Sequence, residues 1–86
     1  MNTIESITAS RVVSLAHLNL TEATAWAMHA KARGVLPVGI AQEIENVRFL
    51  LEILDDGDVS DQEALTVLQR ACILYGQTLG LSGGNA

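Results

Sequence analysis

Apolar residues recur along most of this chain at spacings of three and four, the periodicity of helices that bury one face. Polar residues, glycine and proline interrupt the pattern where short connections are expected. The pattern predicts an all-α fold, a small helical bundle of about four helices with short connections. The predicted helices span residues 3–19, 21–33, 39–54 and 60–79.

The first predicted helix competes with a strand. Asn2 and Glu5 have the spacing of a capping box, which favours a helix start. β-Branched residues are frequent between 6 and 15, however, and they also favour a strand. No second strand-like run is present to pair with such a strand, so a helix is predicted.

The second predicted helix has a clear start and stop. Thr21 is its predicted N-cap, and Gly34 occupies the usual C′ position. Trp26 shares one face with Ala23 and Ala30, so a bulky side chain lies beside small ones that let a neighbouring helix come close.

The third predicted helix has one apolar seam and two apolar residues outside it. Alternating spacings of four and three define the seam, which consists of Ile40, Ile44, Val47, Leu51 and Leu54. Phe49 and Ile53 fall on the opposite face, because each residue turns the helix by about 100°. We therefore expect these two side chains outside the core.

The fourth predicted helix opens with a capping box formed by Ser60 and Glu63. Its expected buried face consists of Ala64, Leu65, Leu68, Ala71, Cys72, Tyr75 and Leu79. Ile73 lies on the far side. A single helical domain over residues 1–81 is expected, followed by a flexible tail at 82–86.

Size and composition favour association with another protein. The chain has 86 residues, 49% of them apolar, but only one Phe, one Trp and one Tyr. An aliphatic core of this size leaves little net stability after conformational entropy is subtracted. A homodimer or an obligate protein partner is therefore expected.

The charge pattern argues against nucleic acid and membrane surfaces as partners. The net charge is −5, and the basic residues are scattered as Arg11, Lys31, Arg33, Arg48 and Arg70, so no basic stripe exists to neutralise phosphates. A helix-turn-helix spacing at Ala30, Gly34 and Ile40 is followed by Glu43 and Glu45, which would repel DNA.

A cytoplasmic location is expected. Cys72 is the only cysteine, so an intrachain disulfide is excluded, which suits a reducing compartment. The first ten residues lack a secretory signal pattern, and no later stretch has the roughly 18 apolar residues of a membrane span. On its expected buried face, Cys72 is a small core residue rather than a nucleophile.

An acidic elbow joins the last two predicted helices. Six of the ten acidic residues lie between positions 52 and 63, namely Glu52, Asp55, Asp56, Asp58, Asp61 and Glu63. A calcium loop fits the later positions but would place Leu54, which has no side-chain oxygen, at a ligand position. A solvated, capped turn and an acidic docking surface for a basic partner are the other interpretations.

Catalytic and metal-binding patterns are absent from the sequence. His17 and His29 are the only histidines and, with one cysteine, they match no zinc motif. No acid–base pair is visible, so neither enzyme activity nor a cofactor is predicted.

The predicted function is non-enzymatic: a small acidic helical adaptor, chaperone or inhibitor that covers a partner protein. The candidate partner-binding residues are Phe49, Ile53, Ile73, Asp55, Asp56, Asp58 and Asp61. One alternative is a calcium-responsive switch at the 52–63 elbow. Another is a ligand-binding or catalytic bundle, for which His17, His29, Cys72 and Tyr75 are the polar candidates.

Overall fold

The computed structural model describes the backbone of residues 3–57 and 60–83 and the side chains of residues 10–57 and 60–81. Three helices follow one another: α1 (Thr3–Ala32), α2 (Val38–Asp55) and α3 (Asp61–Gly83). These described ranges contain no strand, so the all-helical prediction is confirmed. The strand alternative for residues 6–15 is wrong, because these residues lie within α1.

The number of helices was predicted wrongly, because the first two predicted helices form one continuous helix. Thr21 does not cap a helix but lies inside α1. Neither glycine nor proline separates the two predicted segments, and polar side chains nearby bond to backbone carbonyls one turn back. Asn19 Nδ2 donates to Leu15 O at 2.9 Å, and Thr24 Oγ1 donates to Leu20 O at 2.7 Å.

The connection between α1 and α2 matches its sequence signals. Gly34 has a φ of +75°, and it closes α1 with a Schellman motif in which its N–H donates to Lys31 O and the Val35 N–H donates to Ala30 O, each at 3.0 Å. Pro37 follows as the N-cap of α2 with extended backbone angles. Since proline has no N–H to satisfy, its position directly before the first turn carries no hydrogen-bonding penalty.

The predicted capping box of α3 is confirmed. Glu63 N–H donates to Ser60 Oγ at 3.1 Å, and Ser60 N–H donates to Glu63 Oε1 at 3.2 Å. The helix continues to Gly83, beyond its predicted end, so it enters the segment predicted as a tail. Residues 84–86 and the predicted Asn2 cap lie outside the described residues.

Two side-chain contacts fix the directions of the helices. His17 of α1 contacts Asp55 at the end of α2, so these consecutive helices are antiparallel. Arg70 of α3 contacts Glu43 near the start of α2, so α3 runs back along α2. It follows that α1 and α3 are parallel, and these two helices form the most extensive helix–helix contact in the bundle.

The N-terminal part of α1 extends past the end of α2, because His17 lies opposite that end. The radius of gyration is 14.1 Å, against about 12 Å for a compact chain of this length. The molecule is accordingly elongated, with extents of 50 × 21 × 15 Å.

The core is formed by one stripe on each helix at spacings of three and four. Its buried apolar residues are Ala16, Leu20, Ala23, Ala27 and Ala30 from α1, Ile44, Val47 and Leu51 from α2, and Ala64, Val67, Ala71 and Leu74 from α3. The α2 seam is thus confirmed. Half of this set is alanine, which lets backbones approach closely but removes little apolar surface from water.

The buried face of α3 was predicted correctly at Ala64 and Ala71 but wrongly at Leu65, Cys72 and Leu79. Leu65 and Leu79 are 49% and 38% exposed, and Cys72 is exposed, so Cys72 is not a core residue. The buried stripe is rotated towards Val67 and Leu74 instead. Trp26 of α1 is only partly buried and does not belong to the core, because α1 and α3 meet through their alanines.

Candidate functional site

Phe49 and Ile53 form an apolar pair on the outer face of α2. Because Ile44, Val47 and Leu51 turn towards the core, residues 49 and 53 point to solvent. Their exposures are 62% and 51%. They lie one helical turn apart, so the two large side chains form one continuous apolar patch.

The acidic elbow adjoins this pair. Glu52 and Asp56 are exposed at the end of α2, and Asp61 is exposed at the start of α3. Asp61 lies in the first turn of α3, where the helix dipole favours a negative charge, whereas Asp56 is the C-cap of α2, where the dipole opposes it. Asp58 lies outside the described residues.

Asp55 is engaged within the bundle. His17 Nε2 lies 3.2 Å from Asp55 Oδ2 and 3.3 Å from Oδ1, joining the middle of α1 to the end of α2. Both side chains remain about half exposed, at 47% and 49%. This contact ties the Asp55 carboxylate to α1.

Ile73 is exposed, at 59%, but it lies apart from Phe49 and Ile53. Ile53 is two residues before the end of α2, and Ile73 is twelve residues into the antiparallel α3. With a rise of 1.5 Å per residue, the two isoleucines are separated by about 15 Å along the bundle. The α2 pair and Ile73 therefore occupy different places on the surface.

A second apolar stripe runs along α3, and sequence reasoning assigned it to the core. This outer stripe consists of Leu65, Leu68, Cys72, Tyr75 and Leu79, spaced by three and four residues. Leu68 and Tyr75 are partly buried against the core, and the other three are exposed. Cys72 is rotated by about 200° from Arg70, which contacts α2, so the outer stripe faces away from α2.

The outer side of α3 carries almost no charge. Between Ala64 and Gly83, Arg70 is the only charged residue. It is bound on the α2 side, where Arg70 Nε and Nη2 each donate to a carboxylate oxygen of Glu43 at 2.7 Å. From Ala64 to Leu81, the side of this helix that faces away from α2 is therefore formed by apolar, amide, hydroxyl and glycine residues alone.

The ion pair between Arg70 and Glu43, which links α3 to α2, shifts the pKa of both groups. Hydrogen bonds from Arg70 lower the pKa of the Glu43 carboxyl, although partial burial opposes this shift, and Asn46 adds a smaller lowering effect. The same bonds raise the pKa of Arg70. Glu43 and Arg70 are 31% and 36% exposed, so solvent screens part of their attraction.

A groove of about 520 Å³ lies between α1 and α2. Leu20 and Leu51 contribute its apolar floor, while His17, Arg48 and Glu52 bring polar groups to its wall. Arg48 Nη1 donates to Glu45, one turn earlier in α2, so its charge is directed along its own helix.

The four polar residues considered for a ligand-binding or catalytic bundle do not meet at one place, although Cys72 and Tyr75 share the outer stripe of α3. His17 faces α2, whereas Cys72 lies on the outer stripe of α3. His29 and Trp26 form a T-shaped ring pair, with centroids 6.4 Å apart.

Metal-ligating clusters and membrane-spanning helices are both absent from the described part of the chain. It contains no group of three or more His, Cys, Asp or Glu side chains suited to a metal ion. None of its helices is long and apolar enough to cross a membrane.

Comparison with known proteins identifies no relative. No family model, curated protein or solved structure matches the chain. Any functional assignment therefore depends on its own surfaces.

Proposed function

We propose that this chain is a non-enzymatic protein-interaction module that binds a basic partner segment through α2 and the acidic elbow. The observation that carries the proposal is the exposure of Phe49 and Ile53, one turn apart, beside the exposed carboxylates of Glu52 and Asp56. Large apolar side chains supply most of the affinity at protein interfaces, while rim charges select the partner and speed its approach.

The chemistry of this surface indicates the kind of partner. An amphipathic helix with two apolar residues one turn apart and Lys or Arg beside them complements both features. Roles as an adaptor, chaperone or inhibitor all require a surface of this kind. The lone cysteine and the net charge of −5 support a cytoplasmic site of action without a nucleic-acid partner.

Affinity capture from native lysate tests this proposal. Wild-type bait is compared with the Phe49→Lys/Ile53→Lys variant, which we expect to lose bound protein because it removes the apolar anchors and adds repulsive charge. Val38→Lys is the matched control, because Val38 is an 85% exposed apolar residue at the other end of α2. Circular dichroism should show the same helicity for all three.

Recovery of the same proteins by wild type and the double variant would contradict the assignment of this surface. Loss of helicity in the double variant would instead show that Phe49 and Ile53 support the fold. Replacing Asp56 and Asp61 with Asn should weaken capture mainly at low salt, because exposed charges are screened as ionic strength rises.

A further inference from the structure

The outer stripe of α3 is an apolar surface that the described part of the bundle covers only in part, at Leu68 and Tyr75. It has the three-and-four spacing of a helix-packing seam, and three of its five residues are exposed. On α1, Trp26 is nine residues from His17, a rotation of about 180°, so Trp26 also points away from α2. Together, these parts of α1 and α3 define the α1–α3 face.

We propose that a second copy of this chain docks on the α1–α3 face, antiparallel to the first, with Cys72 near the two-fold axis. This surface is distinct from the α2 surface of the proposed function. The outer stripes of the two α3 helices would pack against each other.

The lack of charge on α3 favours a second copy as the occupant. An uncharged apolar stripe has no electrostatic complement in a charged partner, whereas the cores of protein interfaces are depleted of charge on both sides. Although each copy carries a net charge of −5, the outer stripe brings no like charges together. Arg70 does not interfere, because it is bound to Glu43 on the α2 side.

Asp61 and Arg33 lie at opposite ends of the face and favour one direction. Asp61 lies four residues before Leu65 and continues the stripe towards the acidic elbow. Arg33 lies seven residues after Trp26, which returns it to the same side of α1 at the opposite end. An antiparallel arrangement places the acidic end of each copy beside the basic end of the other.

The spacing of the stripe is compatible with two-fold symmetry. Leu65 and Leu79 lie seven residues before and after Cys72. In an antiparallel pair centred on Cys72, Leu65 of one copy meets Leu79 of the second copy, and the two cysteines meet each other. An isologous interface of this kind requires such self-complementarity.

The face is large enough for a stable contact. The 20 residues from Ala64 to Gly83 extend for about 30 Å. With a bundle width of 21 Å, the footprint is roughly 600 Å². A standard interface buries about 800 Å² of accessible surface per partner, which is the same order of size.

Sedimentation of the full chain up to about 0.1 mM tests the association, and charge substitutions at Leu79 test its direction. In the antiparallel dimer, Leu79 faces the acidic end of the second copy. Leu79→Glu should therefore weaken dimerisation by about 30-fold or more, and by more than Leu79→Lys does. Ile73→Glu is the control on the same helix, because Ile73 is rotated by about 120° from the stripe, and it should leave the dissociation constant unchanged.

Crosslinking through the native cysteine provides a test that needs no substitution in the stripe. Antiparallel helices pack 8–10 Å apart, so a short bismaleimide should join the two Cys72 thiols at high yield. A Cys72→Ser/Gln42→Cys variant moves the thiol to the exposed face of α2, and we expect it to give only collisional crosslinking.

A monomer across the whole concentration series would overturn the proposal. A dimer whose dissociation constant is unchanged by both Leu79 substitutions would also overturn it, as would one that Leu79→Lys weakens more than Leu79→Glu. So would a dimer in which the native Cys72 thiol crosslinks no better than the relocated thiol of the control variant. If a Leu79 variant fails to fold, the native Cys72 crosslink still decides whether the two-fold axis passes near this residue.

Discussion

The inner and outer stripes of α3 follow similar three-and-four spacing but differ in side-chain size. The inner stripe, which packs in the core, consists of Ala64, Val67, Ala71, Leu74 and Thr78. The outer stripe carries three leucines, a tyrosine and a cysteine. The smaller residues are inside because α1 and α3 approach closely, and a close approach leaves no room for large side chains.

Because of this difference, the two stripes of α3 contribute differently to packing and to hydrophobic stabilisation. Small inner residues give close contact but little hydrophobic energy, whereas the larger outer residues retain apolar surface that the bundle leaves in water. Even Thr78 is accommodated inside, because its hydroxyl donates to Leu74 O at 2.8 Å. Substitutions in the inner stripe should therefore affect folding, and substitutions in the outer stripe should affect association.

Leu74→Ala should have the largest effect on stability. Leu74 is fully buried, and its truncation leaves a cavity in a core that is already rich in alanine. We expect the free energy of unfolding to fall by about 2–5 kcal/mol, measured by chemical denaturation at low protein concentration. Leu65→Ala is the matched control from the outer stripe, and an equal loss there would remove the distinction between the stripes.

Gly76→Ala should stabilise the chain by about 0.5–1 kcal/mol, because glycine inside a helix loses more conformational entropy than alanine. A Cβ at this position on the outer side of α3 would meet nothing within 4 Å. Thermal unfolding of the two proteins measures the difference.

Gly34→Ala is the opposing control. Its φ of +75° is unfavourable for alanine, so stability should fall there. A loss of stability in Gly76→Ala would show that the outer side of α3 has no room for a Cβ.

Arg70→Gln should give the smallest effect, a loss of about 0.5 kcal/mol at neutral pH, because the pair with Glu43 is partly solvent-screened. Glu43 has a lowered pKa in the folded state, so its contribution is present above the ordinary glutamate pKa of about 4.3 and is lost as the pH falls through the folded value. The difference between wild type and variant should therefore shrink in acid.

Denaturation at neutral and acidic pH measures this change. Arg48→Gln is the control, since Arg48 pairs with Glu45 within α2 and joins no two helices. A smaller effect is expected for it, and a difference between wild type and Arg70→Gln that does not depend on pH would contradict the role assigned to Glu43.

Local signals predicted the helix ends near the connections. Gly34 closes α1 with positive φ, and Ser60 caps α3 through Glu63, because both depend on residues within a few positions. The α2 seam was also predictable, since Ile44, Val47 and Leu51 have a single apolar side. The exposure of Phe49 on α2 follows from the same periodicity.

The continuity of α1 and the orientation of α3 were not predictable from local patterns. Threonine is a good N-cap, but it is also tolerated inside a helix, so Thr21 alone does not mark a boundary. On α3, two apolar stripes compete, and hydrophobicity favours the one that contains Leu65 and Leu79. Only the alanines of α1 determine that the smaller stripe is buried, and that information lies more than 30 residues away in the chain.

The pairing of α1 with α3 also determines when this bundle can form during synthesis. A ribosome completes α1 and α2 before α3 exists, and α2 makes only a minor contact with α1. The alanine stripe of α1 therefore stays exposed to solvent until α3 has emerged from the ribosome. Assembly of the bundle is consequently a late event, and a truncated product that ends before Asp61 has no route to the native packing.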